Sequence, residues 1–368
     1  MERVEKQHGD MFLVMLLAVI FGVGLALLFS ASTSFSARAF KDPLFHMKRQ
    51  MIWAGIGTAA AFLVSVTPLA VFRRWMPVIL LGTLAAVLLP FLPGLGTSVL
   101  GARRWITLFG FSFQPSELVK LTLILYLASY FARREEGEGL TMNTLVPPFI
   151  VTCVFAGIIL LQNDYSTAIF VLVMGLAMMY IARVSLLRFS VVMLLTVPLG
   201  FLLLFTREHR VQRLLAFFDL PSHSMGTGYQ IVTAKAAIVA GGLFGRGLGR
   251  SAAKLGPLPM SYSDFIYTIV SEETGLLGAL FVLALFGLLA WRGYRIALRS
   301  QDPFSHHLAF GVTSALCLQA LLNMAVAVGL IPTTGVTLPF FSAGGSSLFT
   351  TLVMCGLLVN LSRRVTDV

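Results

Sequence analysis

Met11 to Ser30 reads MFLVMLLAVIFGVGLALLFS, twenty residues without a charge. A helix of that length, rising about 1.5 Å per residue, crosses the roughly 30 Å hydrocarbon core of a bilayer. Comparable runs recur along the chain, at about 47–66, 76–93, 117–132, 144–161, 166–182, 187–206, 264–290, 307–330 and 347–361. The pattern predicts an all-α integral membrane protein of about ten transmembrane helices, a single polytopic domain over residues 1–368, with one large loop at about 207–263 between the seventh and eighth helices. Met11–Ser30 is longer than the apolar core of a signal peptide. Ser30-Ala31-Ser32 resembles a cleavage site, but retention as the first helix is the expectation.

Composition agrees. The 368 residues are 57% hydrophobic and 12% charged, with a mean hydropathy of +0.87, whereas soluble domains carry roughly 25% charged residues. Cys153, Cys317 and Cys355 fall inside apolar runs without metal-ligand spacing and read as packing thiols. The net charge of +11 is spread in pairs between helices rather than gathered in one patch, which points to membrane topology and away from nucleic acid. An even number of spans puts both termini on one side. Thirteen Lys and Arg fall on the termini's side and thirteen on the other, seven of the latter in the long loop. Loops of that length largely escape the positive-inside rule, and without it the balance is thirteen to six, favouring cytoplasmic termini. The loop's seven basic residues then call for an anionic substrate or headgroup on the outer face.

Several residues could carry chemistry. Asp264 opens the eighth span at the water-membrane boundary, where it is either a helix N-cap or a reactive carboxylate. Glu272 and Glu273 follow in the same span, about 12 Å deeper, where carboxylates are functional candidates by default. Glu117 and Lys120 have the i,i+3 spacing of an ion pair on one helix face. Arg103 and Arg104 precede Trp105 and either bind phosphate or snorkel to headgroups. Within the loop, Arg207, Arg210 and Arg213 alternate with apolar residues, and Tyr229–Val239 reads as an amphipathic interfacial helix with Gln230 and Lys235 on its polar side. Gly245-Arg-Gly-Leu-Gly249 follows no strand and is no dinucleotide fingerprint; its glycines serve turns and close approach to a headgroup. Gly344-Gly-Ser-Ser347 is either a backbone nest or a helix cap.

Four segments, in order, resemble the SEDS family (shape, elongation, division and sporulation), which includes RodA and FtsW. They are Gly101-Ala-Arg-Arg-Trp-Ile106 with Phe113-Gln-Pro-Ser-Glu-Leu-Val-Lys120; Leu160-Leu-Gln-Asn-Asp164; Gly228-Tyr-Gln230 through Gly247-Leu-Gly249 to Leu258-Pro259 and Asp264-Phe265; and Pro332 through Leu338-Pro339 to Gly344-Gly-Ser-Ser347. The resemblance implies a multi-pass protein of the bacterial cytoplasmic membrane with cytoplasmic termini. It implies peptidoglycan glycosyltransferase activity on lipid II, with Asp264 as general base and undecaprenyl pyrophosphate as leaving group. Arg104, Glu117 and Lys120 match family functional positions, and Arg103, Arg210, Arg213, Arg246 and Lys254 complete the cationic pool for the pyrophosphate. A divalent cation, magnesium or manganese, is left open as a helper; the sequence shows no dedicated metal site. The implied partners are a class B penicillin-binding transpeptidase and other divisome or elongasome membrane proteins. Gly335-Val-Thr-Leu-Pro339 looks FtsW-like, since RodA proteins tend to have proline at the Thr337 position. Asn163 stands where the family commonly has proline, Met260 and Tyr262 where it often has glutamate and histidine, and Ala343 where it usually has tyrosine. A lipid II flippase using the intramembrane charges is the rival reading, and a purely structural scaffold a third.

Overall fold

The computed structural model describes residues 10–99, 102–108, 110–135, 142–182, 184–205, 208–218, 227–256, 258 and 261–365. Gly101, Arg207, Pro259 and Met260, all used above, lie outside the described residues.

The chain runs α1 (Met11–Phe40), α2 (Phe45–Val66), α3 (Leu69–Leu88), β1 (Gly96–Val99), β2 (Ala102–Leu108), β3 (Phe111–Phe113), α4 (Pro115–Glu135), α5 (Met142–Leu161), α6 (Tyr165–Ile181), α7 (Leu186–Leu204), α8 (Glu208–Phe218), α9 (Thr227–Gly241), α10 (Ile266–Arg299), α11 (Pro303–Ala327) and α12 (Gly345–Ser362). Ten of these helices coincide with the ten expected spans, and α8 and α9 belong to the long loop. By length and composition, α1, α2, α3, α5, α10, α11 and α12 can cross a membrane. Helices α6 and α7 are shorter and apolar, and α4 carries Glu117, Lys120, Arg133, Arg134 and Glu135.

Position in the bundle follows polarity. The apolar windows of α11 and α12 are 72% and 83% buried, against 22% for α2 and α3. Both central helices carry polar side chains, among them Thr313, Gln319, Asn323, Thr350, Thr351 and Asn360, all buried. In lipid such groups must bond across helix interfaces, which draws these helices inward. Helix α11 packs on α4 and α10, and α12 on α2. At one end of the bundle Asp10 and Arg292 form a buried ion pair that ties the start of α1 to α10.

Three elements depart from the sequence reading. First, β1, β2 and β3 form a small antiparallel sheet in the order β1-β2-β3, so the protein is not purely helical. The stretch is short but rich in strand formers such as Thr97, Trp105, Ile106 and Thr107, turned at Gly110 with φ +79°. Second, α1 continues ten residues past Ser30, with Ala31 and Ser32 buried, and stops only where Lys41 turns left-handed at φ 56°. Third, α10 is kinked at Gly275, whose φ of 70° and ψ of −168° are open to glycine alone. Every residue from Ile266 to Gly275 is buried or nearly so, whereas Leu276, Leu277, Leu280 and Phe281 are exposed. The lipid-facing span therefore begins after the kink, not at Asp264. The buried segment is the more polar of the two, with Thr268, Ser271, Glu272, Glu273 and Thr274, and the long apolar run that follows it carries the span.

Helix α9 is docked on protein. It buries Gly228, Ile231, Ala234, Ala237 and Gly241 and packs against α10 and α11.

Candidate active site

Asp264 ends the loop just before α10. It is not the helix cap: the N-cap position is Phe265, and no side chain caps it. Three consecutive carbonyls are pinned instead. Tyr262 O accepts from Ala343 N at 2.9 Å, Ser263 O from Ser342 Oγ at 2.6 Å, and Asp264 O from Asn323 Nδ2 at 2.9 Å. Asn323 Nδ2 also donates to Val336 O at 2.8 Å, so one α11 amide holds both walls of the turn. The Asp264 carboxylate is thereby fixed without being consumed. A side chain at Gly335 would come within 3.5 Å of its Oδ2. Burial raises the Asp264 pKa above the usual carboxylate value, a hydrogen bond with Ser263 and the charges of Arg104 and Arg213 oppose the rise, and Asp164 adds to it.

The carboxylate lines a cavity of about 1150 Å³ that also holds Arg49, Arg104, Glu117, Lys120, Asp164, Arg210 and Arg213. Those walls carry five cations against three carboxylates, an excess suited to an anionic ligand. Strand β2 delivers Arg104, whose Nη1 pairs with Asp164 Oδ2 at 2.8 Å. Asp164 is held in turn by Gln114 Nε2 at 3.0 Å and by capping α6 through Thr167 N at 3.2 Å. The Arg104 Nε is buried with no hydrogen-bond partner among the described residues, as is Thr334 Oγ1 on the cavity wall; a ligand oxygen and a ligand hydroxyl would satisfy them. Helix α8 delivers Arg210 and Arg213, and their i,i+3 spacing brings both to the cavity. Arg210 lies over the Tyr165 ring at 5.1 Å. Burial lowers the Arg213 pKa, which Asp264 and Asp164 counteract and Arg104 reinforces.

Glu117 and Lys120 form the expected pair at the start of α4. Lys120 Nζ donates to Glu117 Oε1 and Oε2 at 2.9 and 3.0 Å and to Gln319 Oε1 at 2.9 Å. Gln319 Nε2 passes the network to Thr337 O at 3.0 Å and to Thr337 Oγ1 at 3.2 Å, and Thr337 Oγ1 meets Ser347 Oγ at 2.8 Å. The ammonium is thus committed to neighbours while lining the cavity.

Three cationic candidates lie elsewhere. Arg103 is exposed and does not line the cavity. Arg246 Nη1 pairs with Glu272 Oε1 at 3.2 Å and Lys254 Nζ with Glu273 Oε1 at 2.6 Å. Glu272 also accepts from Ala252 N and Ala253 N, and Glu273 from Ser30 Oγ. These two glutamates, read as deep functional carboxylates, fasten the glycine-rich loop to the kink of α10. The glycines approach backbone: a Cβ on Gly245 would lie 2.2 Å from Glu273 O, and one on Gly275 would lie 2.4 Å from Gly245 N.

Sequence reasoning passed over Asp164, Gln319, Asn323, Thr337 and Ser347 as site residues. Gln319 and Asn323 carried a legible signal, two amides four residues apart inside an apolar run. Of the family departures, Asn163 adopts φ 64°, which proline cannot reach, so the turn into α6 differs from a proline turn. Tyr262 and Ala343, two of the departures, are neighbours joined by a backbone hydrogen bond.

The profile of the FtsW/RodA/SpoVE family, described as "Cell cycle protein", matches residues 10–367. A relative from Geobacter sp. strain M18, "Probable peptidoglycan glycosyltransferase FtsW", is 37% identical over 365 residues, covering 99% of each chain. Among solved structures, a chain described under structural coordination of polymerization and crosslinking by a peptidoglycan synthase complex superposes with a TM-score of 0.79 at 27% identity, covering 98% of this chain and 99% of that one. The rod shape determining protein RodA of Thermus thermophilus gives a TM-score of 0.69 at 27% identity, with 98% of each chain covered.

Proposed function

The chain belongs to the FtsW/RodA/SpoVE family and is a multi-pass membrane peptidoglycan glycosyltransferase of cell-wall synthesis, and on that premise we propose that Asp264 is its general base and lipid II its substrate. The observation that carries the proposal is a fixed, half-buried carboxylate on the wall of a cavity with excess positive charge. The 4-hydroxyl of the acceptor sugar attacks the anomeric carbon of the growing glycan. Asp264 accepts the hydroxyl proton, the new C–O bond forms with inversion, and the anomeric C–O bond to undecaprenyl pyrophosphate breaks with its electron pair going to the leaving group. A base must be ionised yet basic, and burial opposed by Arg104 and Arg213 favours both. Arg104, Arg210 and Arg213 stabilise the departing pyrophosphate, which develops charge as the bond breaks. Glu117 and Lys120 set the geometry of that end through Gln319 and Thr337. Arg103, Arg246 and Lys254 lie outside the cavity and take no part in this step.

Among the described residues no three His, Cys, Asp or Glu side chains converge, and Asp164 and Glu117 on the cavity wall are paired with Arg104 and Lys120. Cationic side chains carry the electrostatic work in this account. The thirteen-to-six balance of Lys and Arg outside the long loop supports cytoplasmic termini, and the loop's own charge suits an outer-face site for an anionic substrate. A class B penicillin-binding transpeptidase is the proposed partner, in line with the synthase complex among the similar structures. An FtsW-like role in division is favoured by the Geobacter relative and by Thr337, whose hydroxyl makes hydrogen bonds that a proline there would lose.

Purified protein with its transpeptidase, incubated with lipid II in liposomes, tests the reading. Wild type yields glycan strands and folded Asp264→Ala yields none. Undiminished polymer from that variant sinks the base, and translocation of fluorescent lipid II without any polymer favours a flippase.

A further inference from the structure

One stretch of the cavity wall is aromatic and takes no part in the mechanism above. Phe40, His46 and Tyr262 line it. They belong to a ring cluster in which Tyr262 lies 4.5 Å from His46 and 4.7 Å from Phe35, centroid to centroid. Phe40 stacks on Phe45 at 3.8 Å and meets His46 edge-on at 5.5 Å. Aromatic side chains at a bilayer boundary commonly serve as interfacial anchors, but anchors face lipid and are mostly Trp and Tyr. These rings line the cavity that holds Asp264, and Phe40 is 45% exposed.

The chemistry of this wall differs from that of the arginine-bearing walls. Arg49 is its charged member, and it is occupied: it donates to Gly110 O and lies over the Phe45 and Phe111 rings at 5.3 and 5.8 Å. His46 Nδ1 is bonded to Ser36 Oγ at 2.7 Å, which fixes the imidazole's orientation. Apolar ring faces beside an imidazole and a phenol match a hexose, which offers C–H faces and hydroxyls but no charge.

Tyr262 and Asp264 are two residues apart, and the hydrogen bonds to the carbonyls of 262, 263 and 264 fix both backbones against α11 and the 336–343 segment. A sugar seated on the Tyr262 wall is thus set at a fixed spacing from the carboxylate. Arg104 and Arg213, whose charges act on Asp264, come from β2 and α8, whereas Phe40 and His46 come from α1 and α2. A pyrophosphate goes to the arginines, and a general base must lie within hydrogen-bond reach of the acceptor hydroxyl, beside the line along which that oxygen approaches the donor's anomeric carbon. The remaining wall is the acceptor's.

Resting on the glycosyltransferase reading of this cavity, we propose that Phe40, His46 and Tyr262 form the subsite for the acceptor sugar. The subsite positions the hydroxyl that Asp264 deprotonates and leaves donor binding to the arginines.

The test uses the full chain with its transpeptidase and two substrates: lipid II with its terminal 4-hydroxyl capped, which serves only as donor, and unmodified lipid II. Product bearing the cap is counted. Tyr262→Ala is expected to raise the KM for unmodified lipid II at least tenfold while the KM for the capped donor stays within twofold, and Tyr262→Phe, which keeps the ring, recovers most of the loss. Phe40→Ala, at an exposed position remote from the Asp264 hydrogen bonds, gives the same one-sided rise at smaller amplitude and serves if Tyr262→Ala misfolds. An unchanged lipid II KM in these variants, or a rise on the donor side, overturns the subsite. Polymer formed by Asp264→Asn within tenfold of the wild-type rate would instead overturn the base, whatever the KM values show.

Discussion

Replacing Lys120 by methionine removes one charge and keeps most of the side-chain volume. In the native protein Lys120 is 5% exposed, and its ammonium satisfies both Glu117 oxygens and Gln319 Oε1 at 2.9–3.0 Å. Lys120→Met strands a buried carboxylate, and breaking such a pair costs roughly 3–5 kcal/mol. For a chain of this size that corresponds to a fall in unfolding temperature on the order of 5–10 °C. The double variant Glu117→Leu/Lys120→Met removes both charges, so it is expected to recover at least half of the loss, because replacing a whole buried pair is close to neutral. Thermal unfolding in detergent, followed by size-exclusion fluorescence, reads both. An unchanged melting temperature in Lys120→Met, coupled with loss of polymer, would refute the reasoning: the ammonium would then be held for substrate rather than committed to Glu117.

Other consequences follow from the same geometry. Because burial raises the Asp264 pKa, the acid limb of kcat/KM is expected above the ordinary carboxylate range, with activity growing as pH rises through it; Arg213→Gln removes a charge that favours the ionised form and moves the limb further up, as a pH-rate profile reads. Gly275→Ala places a Cβ 2.4 Å from Gly245 N at a left-handed φ and is expected to lower the melting temperature and open residues 241–256 to protease, while Gly287→Ala, with nothing within 4 Å of its Cβ, is neutral or stabilising by about 0.5–1 kcal/mol. Lys254→Met strands Glu273 and lowers stability, yet the folded fraction keeps wild-type turnover in the lipid II assay, since Lys254 is outside the cavity.

The spans were legible because a lipid environment writes itself into runs of apolar residues. Legibility failed where protein replaces lipid as the solvent. The residues from Ile266 to Gly275 carry Thr268, Ser271, Glu272, Glu273 and Thr274 and are less apolar than the run that follows, and with the left-handed Gly275 they mark a buried segment ahead of the kink. Of the residues singled out in the sequence, Asp264, Arg104, Arg210 and Arg213 line one cavity with Glu117 and Lys120. Arg246 and Lys254 looked equivalent because composition records their charge but not the glutamates that neutralise it. Glu272 and Glu273 looked functional for the same reason. Asp164, Gln319 and Asn323 were missed because each acts by holding another group, through contacts that span 50 or more positions of sequence.

Asp264→Asn tests the central claim most directly, since it keeps shape and burial and removes only basicity. Initial polymerisation rates with lipid II, measured beside the melting temperature and donor affinity, separate chemistry from folding and binding. The account predicts a rate lower by about 10²–10⁴-fold, the usual contribution of a general base, with donor affinity retained. Burial raises the folded-state pKa of Asp264, so ionisation of this group costs stability once the pH exceeds the unfolded-state value. The neutral amide is therefore expected to melt no lower than wild type at neutral pH. A folded Asp264→Asn protein that polymerises lipid II within tenfold of the wild-type rate would contradict it.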